Sequence, residues 1–232
     1  MGRPLRLVAP GLPHHLIQRG HNGQPVFLDE QDRQRFLDDL QVALREYRLV
    51  LHAYVLMGNH IHLLLTPPDE ASLSRAMQSL GRRYVGWFNH RHQRRGTLWE
   101  GRFKTSVVDT EGYFLACQRY VELNPQRAGL ASDLLSYRWS SLAHHLGARQ
   151  DPLITDHPAF WLLGNTPFER EAAYRRWLEE GLDESRERFL HDTLTKGGVL
   201  GGERFVAALA QQTQRRLTPG RRGRPPKPAV KA

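Results

Sequence analysis

Apolar residues recur along this chain with two different spacings, and the switches between them outline the fold. Residues 13–19 (Pro-His-His-Leu-Ile-Gln-Arg) alternate loosely and stop at Gly20, which predicts a short strand and a turn. From Asp29 to Tyr47, the residues Phe36, Leu37, Leu40, Ala43, Leu44 and Tyr47 fall at helical spacing behind an acidic start. Leu49 to Met57 is an apolar strand, Gly58-Asn59 a turn dipeptide, and His60 to Thr66 a second strand ended by Pro67-Pro68. Together they predict an antiparallel hairpin. Ser72 to Arg91 returns to helical spacing, with Leu73, Ala76, Met77, Leu80, Tyr84, Trp87 and Phe88 as its stripe. Phe103 to Val108 predicts a fourth strand. Thr110 to Leu123 predicts a third helix, N-capped near Asp109 or Thr110 and stopped by Asn124-Pro125.

The order strand, helix, strand, strand, helix, strand is that of an α+β, ferredoxin-like βαββαβ antiparallel sheet with both helices on one face. The helix after the last strand is then free to lie on the open face. Beyond Leu130 the pattern weakens. Residues 131–165 read as loop-rich around Trp139-Ser140-Ser141, and residues 167–190 and 203–216 read as helical. From Thr218 onward Pro, Gly and Arg dominate, which predicts disorder. The expected division is a main domain over 1–146, an accessory C-terminal helical region over 147–216, and a basic disordered tail over 217–232.

Charge sharpens this picture. The formal net charge of the 232 residues is +9, but residues 71–108 and 205–232 carry +7 each, so everything else sums to −5. Two basic blocks on a mildly acidic protein suggest a footprint for nucleic acid more than a general aid to solubility. Arginine far outnumbers lysine, which suits bidentate phosphate contacts. The single cysteine, Cys117, excludes an internal disulfide and any multi-cysteine zinc site. No apolar run approaches the ~20 residues of a membrane span, so no membrane partner is expected. No G-x-x-x-x-G-K-[ST] sequence occurs, so no nucleotide cofactor is expected either.

Four groups carry candidate chemistry. His60 and His62, two apart on a strand, project to the same face and could supply most of a metal site. By spacing alone they read more often as two surface histidines. Tyr120 and Asn124, four apart on a helix, share a face: a phenol that can attack phosphorus, and a carbonyl oxygen that suits Mg2+ or Mn2+. By themselves they read more often as a surface aromatic and a helix stop. Arg82, Arg83, Arg94, Arg95, Arg102 and Lys104 are candidate phosphate ligands, with Trp99 a candidate for base stacking and Tyr84, Trp87 and Phe88 assigned to the core. In the tail, Arg221, Arg222 and Arg224 flank a Gly-Arg-Pro core suited to a narrow minor groove, or to nonspecific binding.

Taken together these residues resemble a known family. The run Met57-Gly58-Asn59-His60-Ile61-His62-Leu63-Leu64 is similar to the paired-histidine motif of the IS200/IS605 single-tyrosine transposases, nearest to their REP-associated tyrosine transposase branch. Arg19-Gly20, Gly101-Arg102-Phe103-Lys104, Arg119 to Pro125, Arg127 to Leu130 and Trp139-Ser140-Ser141 match in the same order, over roughly residues 3–146. The resemblance implies a catalytic domain over 1–146 with Tyr120 as nucleophile and His60, His62 and Asn124 as ligands of Mg2+ or Mn2+. It adds Arg19 to the candidate DNA contacts. The implied activity is nicking and strand transfer of single-stranded DNA at hairpins, through a 5′-phosphotyrosine, in the bacterial cytoplasm. Gly58 stands where the family commonly has Pro. The alternative is a hairpin-binding regulator with vestigial cleavage. A water-activating metal hydrolase and an RNA-binding module are more distant rivals. Monomer and homodimer both remain open.

Overall fold

The computed structural model describes residues 6–181 and 183–217, so the tail arginines Arg221, Arg222 and Arg224 lie outside the described residues. The chain runs β1 (His14–Arg19), α1 (Glu30–Glu46), β2 (Val50–Leu56), β3 (His60–Thr66), α2 (Ser72–Arg91), β4 (Lys104–Val108) and α3 (Phe114–Glu122). It continues through α4 (Asn124–Arg127), α5 (Leu142–His145), α6 (Pro158–Trp161), α7 (Pro167–Glu180), α8 (Glu184–Lys196), β5 (Val199–Leu200) and α9 (Glu203–Thr213).

The sheet order is β2-β3-β1-β4-β5, antiparallel except for the parallel β4–β5 pair. Its first four strands have the ferredoxin-like arrangement that the hydrophobic pattern predicts. Strand alternation sorts side chains between two layers. Ile61, Leu63 and Leu65 of β3 join Leu16, Tyr54 and Leu56 under α1 and α2, against Phe36, Leu40, Tyr84 and Phe88. Ala53, Val55 and Leu64 face the other way and pack against Phe114, Cys117 and Val121 of α3 and Leu190 and Leu194 of α8. His60 and His62 belong to this second face.

Several local details depart from the pattern. α1 starts where expected because Asp29 caps it, its side chain accepting from the Asp32 amide at 3.0 Å. α3 begins only at Phe114, because Asp109 first holds a turn by accepting from the Glu111 amide. The predicted helix over 167–190 is two helices: Gly181, at φ +81°, ends α7, and Asp183 caps α8 by accepting from the Arg186 amide. Residues 147–216 also hold a strand, β5, that no periodicity announced. Trp99 is a correction: it is buried in the core against Phe36 and Tyr84 rather than exposed for stacking. The loop carrying it folds back, pairing Trp99 with Gly20 in an isolated bridge. Gly20 lets the chain turn closely onto 24–26, since a Cβ there would lie 2.1 Å from the Gln24 carbonyl oxygen and 2.8 Å from Val26 Cγ1.

Candidate active site

The site forms where the open face of the sheet meets α3 and α8. β1 and β3 pair so that Arg19 lies opposite His60 and Ile17 opposite His62. This register brings His15, two residues before Ile17, diagonally beside His62. His15 Nε2 and His62 Nδ1 are 2.7 Å apart, and the rings of His60 and His62 meet edge to face with centroids 5.0 Å apart. His60 Nδ1 is engaged by Asn59 Oδ1 at 2.7 Å. Tyr120 comes down from α3 onto the same patch, its ring 5.8 Å from His62 and 6.0 Å from His15, both edge to face.

Burial keeps these imidazoles neutral. It pushes His15 down to about 3; with help from the Arg19 guanidinium it pushes His60 down to about 4; and with His15 and His60 nearby it holds His62 well below the usual histidine range. Neutral rings keep a lone pair, the form that binds a metal ion. His15 Nδ1 is buried without a hydrogen-bond partner. The donor chemistry on this patch therefore fits a divalent cation. Asn124, the third ligand expected from the sequence, sits at the end of α3. Its Nδ2 donates to the carbonyls of Tyr120 at 2.8 Å and Val121 at 3.4 Å, closing the end of α3. It is thereby fixed beside Tyr120, with its Oδ1 left over, and no hydrogen bond among the described residues joins it to either histidine. Gly58 has open space around its Cβ position, so this departure from the family pattern alters no packing.

Tyr120 is almost wholly buried, and burial raises its pKa; the Arg127 guanidinium opposes that rise. Arg127 lies 4.1 Å over the phenol ring and donates to the Tyr120 carbonyl at 2.6 Å. The Tyr120 hydroxyl is 3.1 Å from His191 Nδ1 of α8. Neither Arg127 nor His191 received a role from the sequence reading. Arg127 sits within a matched motif, which was a usable signal; His191 lies 71 positions from Tyr120, in a helix without any motif.

α3 is anchored beneath the site by Glu122. This buried carboxylate accepts from Ser141 Oγ and His145 Nδ1, both at 2.6 Å, and from the Tyr174 hydroxyl at 2.7 Å. Ser141 Oγ also accepts from the Tyr54 amide of β2 at 3.0 Å, so the Trp139-Ser140-Ser141 motif ties the helix to the sheet. Among the described residues, the group of three His, Cys, Asp or Glu whose possible ligand atoms lie within 4.8 Å of one another is elsewhere, at His144, His145 and Asp156. It sits with Phe160 and Tyr174, not among the sheet histidines. There His144 Nδ1 accepts the Asp151 amide at 3.1 Å and its Nε2 faces Asp156 at 3.3 Å, while His145 Nε2, buried without a hydrogen-bond partner, lies 3.6 Å from the same carboxylate.

Of the candidate DNA contacts, Arg19, Arg102 and Lys104 line one cleft of about 1350 Å³, which His191 also borders. Arg6, Lys196, Arg215 and Arg216 add to its wall, against the single carboxylate of Glu100. Arg94 stands at the 20–24 loop, 3.3 Å from Gln24 Oε1. Arg82 and Arg83 ride on α2, across the sheet from Tyr120, and Arg83 pairs with Glu46 of α1 at 3.4 Å. Arg95 lies in the loop between α2 and β4. No helix among the described residues is long and apolar enough to cross a membrane.

Residues 10–124 match the family model described as "Transposase IS200 like". No curated protein matches the chain by sequence. Among solved structures, a REP-associated tyrosine transposase bound to a REP hairpin aligns with a TM-score of 0.55 at 17% identity, covering 68% of this chain and 96% of that one. This likeness supports the fold. A Deinococcus radiodurans R1 protein assigned as a transposase aligns with a TM-score of 0.37 at 22% identity, covering 57% of this chain and 100% of that one.

Proposed function

Because residues 10–124 form an IS200-like transposase domain, we propose that this chain nicks single-stranded DNA at hairpins and transfers the strand through a 5′-phosphotyrosine on Tyr120. The observation that carries the reading is the meeting of Tyr120 with His62 and His15 beside a cationic cleft. The hairpin part draws on the relative solved with a REP hairpin.

The chain's own groups divide the work. The arginines and lysines of the cleft neutralise the phosphates of a single strand and set its path. Tyr120, held by α3 and covered by Arg127, attacks the scissile phosphorus in line. The new bond joins its oxygen to phosphorus, and the 3′-oxygen leaves. The phosphodiester energy is kept in the tyrosyl ester, so rejoining needs no nucleotide. His60 and His62, with Asn124, would hold Mg2+ or Mn2+, which when bound polarises a non-bridging phosphate oxygen.

A labelled hairpin oligonucleotide, incubated with the protein and Mg2+ or Mn2+, tests this directly. The wild type is expected to form a denaturation-resistant adduct that maps to Tyr120, and Tyr120→Phe is expected to bind the hairpin without cutting it. Normal cleavage by Tyr120→Phe would refute the nucleophile. Tight binding with no cleavage by the wild type would favour a regulator instead.

A further inference from the structure

We propose that His191 is a catalytic residue that accepts the Tyr120 proton during attack. The assignment rests on Tyr120 being the nucleophile. Three observations support it. First, His191 Nδ1 is 3.1 Å from the Tyr120 hydroxyl, and no other side chain among the described residues hydrogen-bonds that hydroxyl. His15 and His62 also touch the tyrosine ring, but their facing nitrogens bond each other at 2.7 Å. Second, His191 is exposed and borders the cationic cleft, so it lies where the tyrosine meets the space a strand would occupy. Third, its position is fixed. Leu190 and Leu194 on either side of it are buried against α3 and the sheet, which holds the backbone of His191 on the Tyr120 side of α8.

A phenol whose burial disfavours ionisation needs such an acceptor. Charged groups near the pair include Arg127 over the phenol, Arg19 of β1, Glu187 and Arg119 beside Arg127, and Arg188, Asp192 and Lys196 on α8, the last two paired at 2.8 Å; Lys104, Arg215 and Arg216 line the same cleft. As the oxygen–phosphorus bond forms, the phenolic proton moves to Nδ1, and the 3′-oxygen departs with its bonding pair. That oxygen takes a proton from solvent, and the imidazolium returns one to solvent. In the reverse step, Nδ1–H reprotonates the leaving phenolate.

The test is single-turnover nicking of labelled hairpin oligonucleotides across a pH series by full-length wild type, His191→Asn and Tyr120→Phe. Asn keeps a polar atom near Nδ1 on an exposed helix position, so folding is preserved. His191→Asn is expected to cut about 100-fold more slowly, the low end for a lost general base, with hairpin binding unchanged. It is also expected to lose one ionisation from the pH–rate profile and to be partly rescued by added imidazole. A His191→Asn rate within about threefold of wild type, against the ~100-fold of a lost general base, overturns the assignment. So does a slow variant with an unchanged profile and no rescue, which marks a merely structural contact. A Tyr120 adduct formed normally by His191→Asn refutes this proposal alone. Absence of any Tyr120 adduct in the wild type refutes the nucleophile as well.

Discussion

Replacing Glu122 by alanine removes an acceptor shared by three donors, two residues from Tyr120. Ser141 Oγ and His145 Nδ1 stand 2.6 Å from one carboxylate oxygen and the Tyr174 hydroxyl 2.7 Å from the other. All four side chains are buried, so solvent cannot simply substitute. A buried donor left unpaired costs about 1–3 kcal/mol. Three would sum to roughly 3–9 kcal/mol, but Ser141 also reaches the Tyr54 carbonyl at 3.4 Å and recovers part of its loss. A penalty of about 3–5 kcal/mol follows, a large share of the ~5–15 kcal/mol that holds a domain together. At roughly 2–4 °C per kcal/mol for a chain of this size, Tm falls by about 6–20 °C. Glu122→Gln keeps the volume but turns an amide donor toward one of the three donors, so it should lose less. Thermal unfolding followed by circular dichroism measures both. A Glu122→Ala melting point within about 2 °C of wild type, less than one unsatisfied donor should cost, would show that the carboxylate anchors nothing.

Three further outcomes are expected. Stability should fall with acid. Unfolded histidines take up protons as pH drops through about 6.5, whereas burial holds His14, His52 and His60 down to about 4 and His15 to about 3. The unfolded state binds more protons between those limits, so stability present above pH ~6.5 is lost toward pH ~4, at about 1.4 kcal/mol per pH unit for each such histidine; urea titrations giving a flat profile there would contradict the burial argument. Gly20→Ala should destabilise by about 1–3 kcal/mol through overpacking, because its Cβ meets backbone at the Gln24 carbonyl, and an unchanged urea midpoint would refute that. Arg102→Ala should weaken single-strand binding and lower the log–log salt slope by roughly 0.7, while Arg83→Ala, on the opposite face, should leave both unchanged; equal effects would place the strand elsewhere.

How much of this was legible in the sequence depended on range. His60 and His62 were readable as a pair because a strand repeats every two residues, and Tyr120 with Asn124 because a helix repeats near four. The four-strand order followed from the same periodicities. What escaped needed pairing across the chain. His15 meets His62 only through the β1–β3 register, which two apolar-alternating strands do not specify by themselves. His191 arrives from a helix whose apolar spacing says that it packs somewhere, not where. The helix end takes up the Asn124 amide nitrogen, a bond that spacing did not announce, and leaves its carbonyl oxygen over. Trp99 looked exposed because its loop is polar, but the bridge to Gly20 draws it inward. β5, two residues long, is too short for any period to register.

That short strand has a consequence for anyone dividing this chain. Val199 and Leu200 add to the edge of β4, and the helix before them supplies Leu190 and Leu194 to the same core as Tyr120. A fragment cut at residue 146, just beyond the matched motifs, would keep His60, His62, Tyr120 and Asn124. It would also leave β4 as an open edge, a template for pairing with other chains, and strip one wall from the groove. A segment outside the matched residues is thus the one that adds the last strand to this sheet. Exchanging it between related chains would exchange His191, Lys196, Arg215 and Arg216 of the groove's lining while leaving Tyr120 and the paired histidines in place.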